Sequence, residues 1–118
     1  MTFTQARDFM GDLISRTLGA NVSVFFHYQK REVTGDFAIY QLSGSQDVND
    51  NNNWDMVHNT DLELYFFDAN KIDDYLNMLI NNGRVPITSY NVEYSEIKVQ
   101  GGEPRPVNII RVAFDGII

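Results

Sequence analysis

The sequence predicts an α+β fold: a single domain over residues 1–118, element order α-β-β-β-α-β-β, with two helices on a mainly antiparallel or mixed sheet. Three observations predict it. Residues 61–68 place Leu62, Leu64 and Phe66 on one face at the two-residue period of a strand, with Asp61 and Glu63 on the other, and run straight into a helix. Two stretches, 4–18 and 69–82, carry apolar stripes at helical spacing. Finally, 118 residues with 43% hydrophobic content, eight Phe, six Tyr and one Trp are enough for one core and too few for two.

In chain order, Ala6, Phe9, Met10, Leu13, Ile14 and Leu18 make the first helix amphipathic, with Gln5, Arg7, Asp8, Asp12 and Arg16 between them. Thr2 or Thr4 can cap its start, and Gly19 can end it in the left-handed conformation. Gly11 breaks the pattern, since an interior helix glycine costs roughly 1 kcal/mol against alanine. It reads either as the site of a close approach by another backbone or as a tolerated substitution.

Residues 21–27 alternate as a strand, and 36–42 form the next. Between them lies a polar tip, 28–35, containing Lys30 and Arg31, so the pair is expected to be a hairpin. Residues 43–53 are the most polar run, rich in Asn and Asp, and form a long exposed connection of the kind that carries function. Trp54 leads into the 61–68 strand, whose pairing can begin that early. Tyr65 and Phe67 make the end of its second face apolar, which predicts a central position or a cover supplied by a helix or a partner.

Asp68 or Asn70 caps the second helix, Asp73 and Asp74 suit its positive end, and Gly83 and Pro86 close it. From 87 to 99 the alternation of Tyr90, Val92 and Tyr94 shifts parity at Ile97 and Val99, predicting a bulge, a bend or an end that leaves the sheet. Residues 100–106, with Pro104 and Pro106, read as a loop, and 107–114 as the last strand.

Nine basic against sixteen acidic residues give a net charge of −7. Nucleic-acid affinity comes largely from displaced counterions and needs clustered positive charge, so the charge balance disfavours tight binding of DNA or RNA. No stretch approaches the roughly eighteen apolar residues of a membrane span, and the N-terminus lacks a basic segment followed by an apolar run. The expectation is a soluble chain with no membrane partner and no export signal. The absence of Cys excludes disulfides, thiolate metal sites and a Cys nucleophile.

No catalytic, cofactor or metal site is readable. The run from Asp47 through Asp50 and Asn51 imitates the start of a calcium loop. Its sixth position is Asn52 instead of Gly, and its twelfth is His58 instead of Glu. His27 and His58 are isolated and read as strand histidines. There is no phosphate loop, nucleophile elbow or dinucleotide fingerprint, so an enzyme is disfavoured.

Several features together resemble the tail terminator or tail completion proteins of long-tailed bacteriophages. They are the element order, Tyr40-Gln41 ending the second strand, the Asp/Asn-rich loop, Leu62-Glu63-Leu64-Tyr65 feeding the helix that starts Lys71-Ile72-Asp73-Asp74-Tyr75-Leu76, and the closing hairpin. The resemblance covers nearly the whole chain. It implies a structural virion protein, assembled in the host cytoplasm as a homo-oligomeric, hexameric ring on the head-proximal end of the tail. There it would cap the tail tube protein, stop tube growth and offer a docking surface to the head connector. An acidic ring would let DNA pass without gripping it. Candidate interface residues on this reading are Tyr65 and Phe67 on the strand, Asp47, Asn51 and Trp54 at the long loop, and Lys30 and Arg31 at the first tip. The alternative classes are a small ligand-binding or regulatory module, which needs a concave apolar pocket, and a hydrolase, which needs clustered titratable groups in a cleft.

Overall fold

A computed structural model describes residues 3–27, 35–44, 58–81, 87–98 and 102–115. The first helix, α1, spans Phe3–Leu18. Ala6, Met10, Ile14 and Leu18 recur every fourth residue and are all buried, so they form the packed stripe, while Phe9 stays exposed. Gly19 ends the helix with φ 86°, the conformation a glycine adopts without a side-chain clash.

Five strands follow: β1 (Ser23–Phe26), β2 (Phe37–Gly44), β3 (His58–Phe66), β4 (Ile87–Lys98) and β5 (Pro104–Asp115). They make one mixed sheet in the order β1-β2-β3-β5-β4, in which β1 runs parallel to β2 and every other neighbouring pair is antiparallel. The chain is thus a single α+β domain with the element order the sequence predicts. After β3, Asp68 accepts from the Asn70 amide at 3.0 Å and caps a short 3-10 turn, Ala69–Lys71. This turn feeds the second helix, α2 (Ile72–Ile80). Asp73 and Asp74 sit in its first turn, where the helix dipole favours negative charge.

Both helices lie on one face of the sheet. Met10, Ile14 and Leu18 of α1 and Tyr75 and Leu79 of α2 pack with Ala38, Tyr40, Leu62, Leu64, Phe66, Ile110, Val112 and Phe114. Register explains the composition of that face: Leu62 pairs with Val112, Leu64 with Ile110, and Ala38 with Leu64, so the apolar parity of three strands coincides. Each fully buried aliphatic or aromatic side chain there contributes about 1.5–3 kcal/mol of transfer free energy. Two polar side chains are buried. Asn108 donates to the Phe66 carbonyl at 3.1 Å, and Thr60 has no partner for its hydroxyl among the described residues.

Four expectations change. The first two strands are parallel and not a hairpin. A two-residue period reports which face a side chain takes and is silent on strand direction. Second, β5 begins at Pro104, inside the predicted loop. Pro104 and Pro106 stand opposite Lys98 and Glu96 of β4, and with β3 ending at Phe66, opposite Asn108, no strand among the described residues pairs with the other side of residues 104–107, where a strand tolerates prolines. Third, the register irregularity of β4 lies between Ile87 and Ser89, while pairing from Ser89 to Lys98 is regular. Ile97 simply belongs to the face opposite the helices. Fourth, the close approach at Gly11 is made by a side chain: a Cβ there would run into the Tyr40 hydroxyl.

Candidate interface surfaces

The helix-covered face is closed, so the surfaces left for partners are the opposite sheet face and the two outer edges. On the open face, β2, β3, β5 and β4 present cross-strand rows set by register. One row reads Ile39, Glu63, Arg111, Asn91, and the next reads Gln41, Asp61, Ala113, Ser89. Arg111 is held between two strands, 3.1 Å from Glu63 and 2.8 Å from Glu93. The Glu93 hydrogen bond, with help from Glu63, raises the guanidinium pKa further, so this charge is fixed. The Tyr65 hydroxyl donates to Glu63 and the Asn91 amide to Glu93 at 3.0 Å, which extends the network across three strands. Ile39, Gln41, Asp61, Glu63, Asn91 and Ala113 help to line a shallow open hollow of about 490 Å³.

Of the candidates the sequence offers, Tyr65 and Phe67 are placed and both are half-buried. Tyr65 stacks on Phe37 across the β2–β3 pair, with centroids 4.7 Å apart and rings 5° from parallel. Phe67 lies just past β3 with the Arg105 guanidinium 4.3 Å from its ring centroid. Their apolar character is thus used within the chain, on a strand that is central as predicted. Lys30, Arg31, Asp47, Asn51 and Trp54 lie outside the described residues. His27 follows β1 with φ 58°, and its backbone N–H donates to the Tyr40 carbonyl at 2.8 Å, which ends the strand.

The edges differ. The edge strands are β1, four residues long, and β4, twelve residues long with no proline from Ile87 to Lys98, while β5 carries two prolines where it runs past the end of β3. Tyr90 and Tyr94 sit on β4 at 52% and 72% exposure. Their register partners Val112 and Asn108 place them on the helix side of the sheet.

Sequence reasoning missed Asp36. Its side chain is 11% exposed and receives the Phe67 N–H at 3.4 Å, the Lys71 ammonium at 3.4 Å and the Tyr75 hydroxyl, while its carbonyl accepts from Ser23 at 3.2 Å. It therefore ties β1, β2, the end of β3 and α2 together. Burial, reinforced by Asp36, raises the Tyr75 phenol well above its ordinary value. Tyr40 is raised by burial as well, Arg7 opposing and Asp8 adding. Only its place before an alternating strand marked Asp36. Among the described residues no group of three His, Asp or Glu side chains is arranged to hold a metal ion, and no helix is long and apolar enough to cross a membrane.

No protein-family model matches the chain, and no curated protein matches it.

Proposed function

We propose that this chain is a ring-forming structural protein of a long-tailed phage, which caps the tail tube, ends its growth and presents the surface to which the head connector docks. The observation that carries this reading is the asymmetry of the sheet edges. Unpaired N–H and C=O groups on an edge strand template association, and chains that stay monomeric blunt them with prolines, charges, bulges or short strands. Here one edge strand, β1, is only four residues long and so is blunted by its shortness, while the other, the twelve-residue β4, has no strand on its outer side among the described residues. Two exposed tyrosines stand beside it, the residue type enriched at protein interfaces. Glu93, in the middle of β4, is already paired with Arg111, and the other charges of the strand, Glu96 and Lys98, and its register irregularity at Ile87–Ser89 lie toward its two ends, so the central stretch is unguarded.

The likeness in element order to tail terminator proteins supports a place at the head–tail joint of such a phage, and the charge of −7 suits a lumen that lets DNA slide past. Heterologous contacts that close give a ring, so an edge that meets a different surface of the next copy is the required geometry. The test is reconstitution on tail tubes assembled without this protein. Electron microscopy should show an added ring of density at one tube end, and tubes should stop accepting further tube protein. Ends that stay bare and keep elongating would refute the proposal.

A further inference from the structure

The two rows of the open face differ most in charge at their β5 position, Arg111 in one and Ala113 in the other. In the first, Glu63 has Arg111 beside it on β5, and the guanidinium also reaches Glu93. In the second, Asp61 has Ala113 in the corresponding place. A methyl group cannot fill the space an arginine fills one row away, and the hollow opens there, lined by Gln41, Asp61, Ser89 and Ala113 with Ile39 alongside. Asp61 is exposed and has no ion pair among the described residues.

We infer that this hollow receives an arginine or lysine side chain from a partner protein, which completes the second row as Arg111 completes the first. The chemistry is complementary at each part of the guest. Asp61 meets the cationic head, the Gln41 side-chain carbonyl and the Ser89 hydroxyl supply further acceptors, and Ile39 and Ala113 give the methylene stem an apolar bed. The charged residues that line the hollow are Asp61, Glu63 and Arg111, and with Arg111 engaged by Glu63 and by Glu93 outside it, the site is net negative. A nucleic-acid backbone or another anion would be repelled. The hollow is open, which suits a side chain projecting from a macromolecule better than a small molecule that needs enclosure. Metal binding is disfavoured because Glu63 and Glu93 are already engaged by Arg111. The inference does not rest on the ring proposal: it concerns the open sheet face and a cationic guest, although Ser89, Tyr90 and Asn91 of β4 help to line the hollow.

The probe is N-acetyl-argininamide, titrated against the isotopically labelled protein by NMR, with N-acetyl-citrullinamide as its neutral isostere. Saturable amide shifts centred on Gln41, Asp61, Ser89 and Ala113 are expected with the first and not with the second. Asp61→Asn should weaken binding at least fivefold, and Ala113→Arg, which fills the hollow from within, should abolish it. If Ala113→Arg does not fold, Asp61→Asn, at an exposed position, decides. Equal shifts with both probes, shifts spread over unrelated carboxylates such as Asp8 and Asp12, or unchanged binding in Asp61→Asn would overturn the inference. So would a concentration-dependent shift of the same amides without probe, which would assign the hollow to a second copy of the chain. Probe binding by a protein that never caps a tube would leave this inference standing and remove the other.

Discussion

Replacing Gly11 with alanine should destabilise the protein, against the sign that helix propensity gives. In an isolated helix the change would add about 1 kcal/mol of stability. Here the Tyr40 hydroxyl reaches over α1 to donate to the Arg7 carbonyl at 2.8 Å, and it passes through the space a residue-11 side chain would occupy. Even the ring carbon Cζ stands 3.1 Å from the ideal Cβ position. Tyr40 is 5% exposed and packs edge-on against Phe26 at 5.3 Å, so the ring has little room to swing aside. Overpacking of this kind costs about 1–3 kcal/mol, and a buried hydroxyl forced off its acceptor costs a further 1–3 kcal/mol or so. After the propensity gain, a net loss of about 1–5 kcal/mol remains. Urea denaturation measures it as a lower midpoint at unchanged slope. In a Tyr40→Phe background the same substitution should cost less by about 1 kcal/mol, because the hydroxyl is gone while Cζ still crowds the methyl. A Gly11→Ala protein more stable than the parent would refute this account of the glycine.

Three further outcomes follow from the same geometry. Asp36→Ala should cost about 2–4 kcal/mol in the same assay, since it strands the Tyr75 hydroxyl and the Phe67 amide at the junction of three strands and α2. Ultraviolet titration should find Tyr75 and Tyr40 ionising above the ordinary range of a phenol, because burial raises both. Their folded pKa values lie above the unfolded value near 10.0, so their contribution to stability is full below that pH and is lost as pH rises past it. Tyr75→Phe should flatten the alkaline loss, and an unchanged slope would contradict the assignment. Tyr90→Lys with Tyr94→Lys should change unfolding stability by no more than about 0.5 kcal/mol, because both side chains are exposed, yet should abolish capping of tail tubes.

The elements and their faces were legible because burial imposes a period: Leu62, Leu64 and Phe66 announce a core face whatever their neighbours are. Direction and register were not, since both depend on residues far apart in sequence. The parallel pairing of β1 with β2 therefore escaped, and so did Glu63–Arg111–Glu93, whose members become neighbours only when β3, β5 and β4 align. Pro104 and Pro106 misled because a proline is read as a breaker unless one knows that the strand beside it has already ended. At Gly11 the anomaly was visible, and its cause lay on β2. Tyr65 and Phe67 marked a real apolar patch, but the residues that use it, Phe37 and Arg105, come from other strands. The exposed edge of β4 depends on strand order, which no local pattern carries.

The most direct test of the central claim is electron microscopy of a lysate from a phage that encodes this chain and carries a stop codon at Gln5. The account predicts headless tails of irregular, excessive length beside free heads, restored to uniform length by the intact chain supplied in trans. Tails of normal length beside heads that cannot join them would move the protein to the head side of the joint, and normal virions would contradict the account altogether.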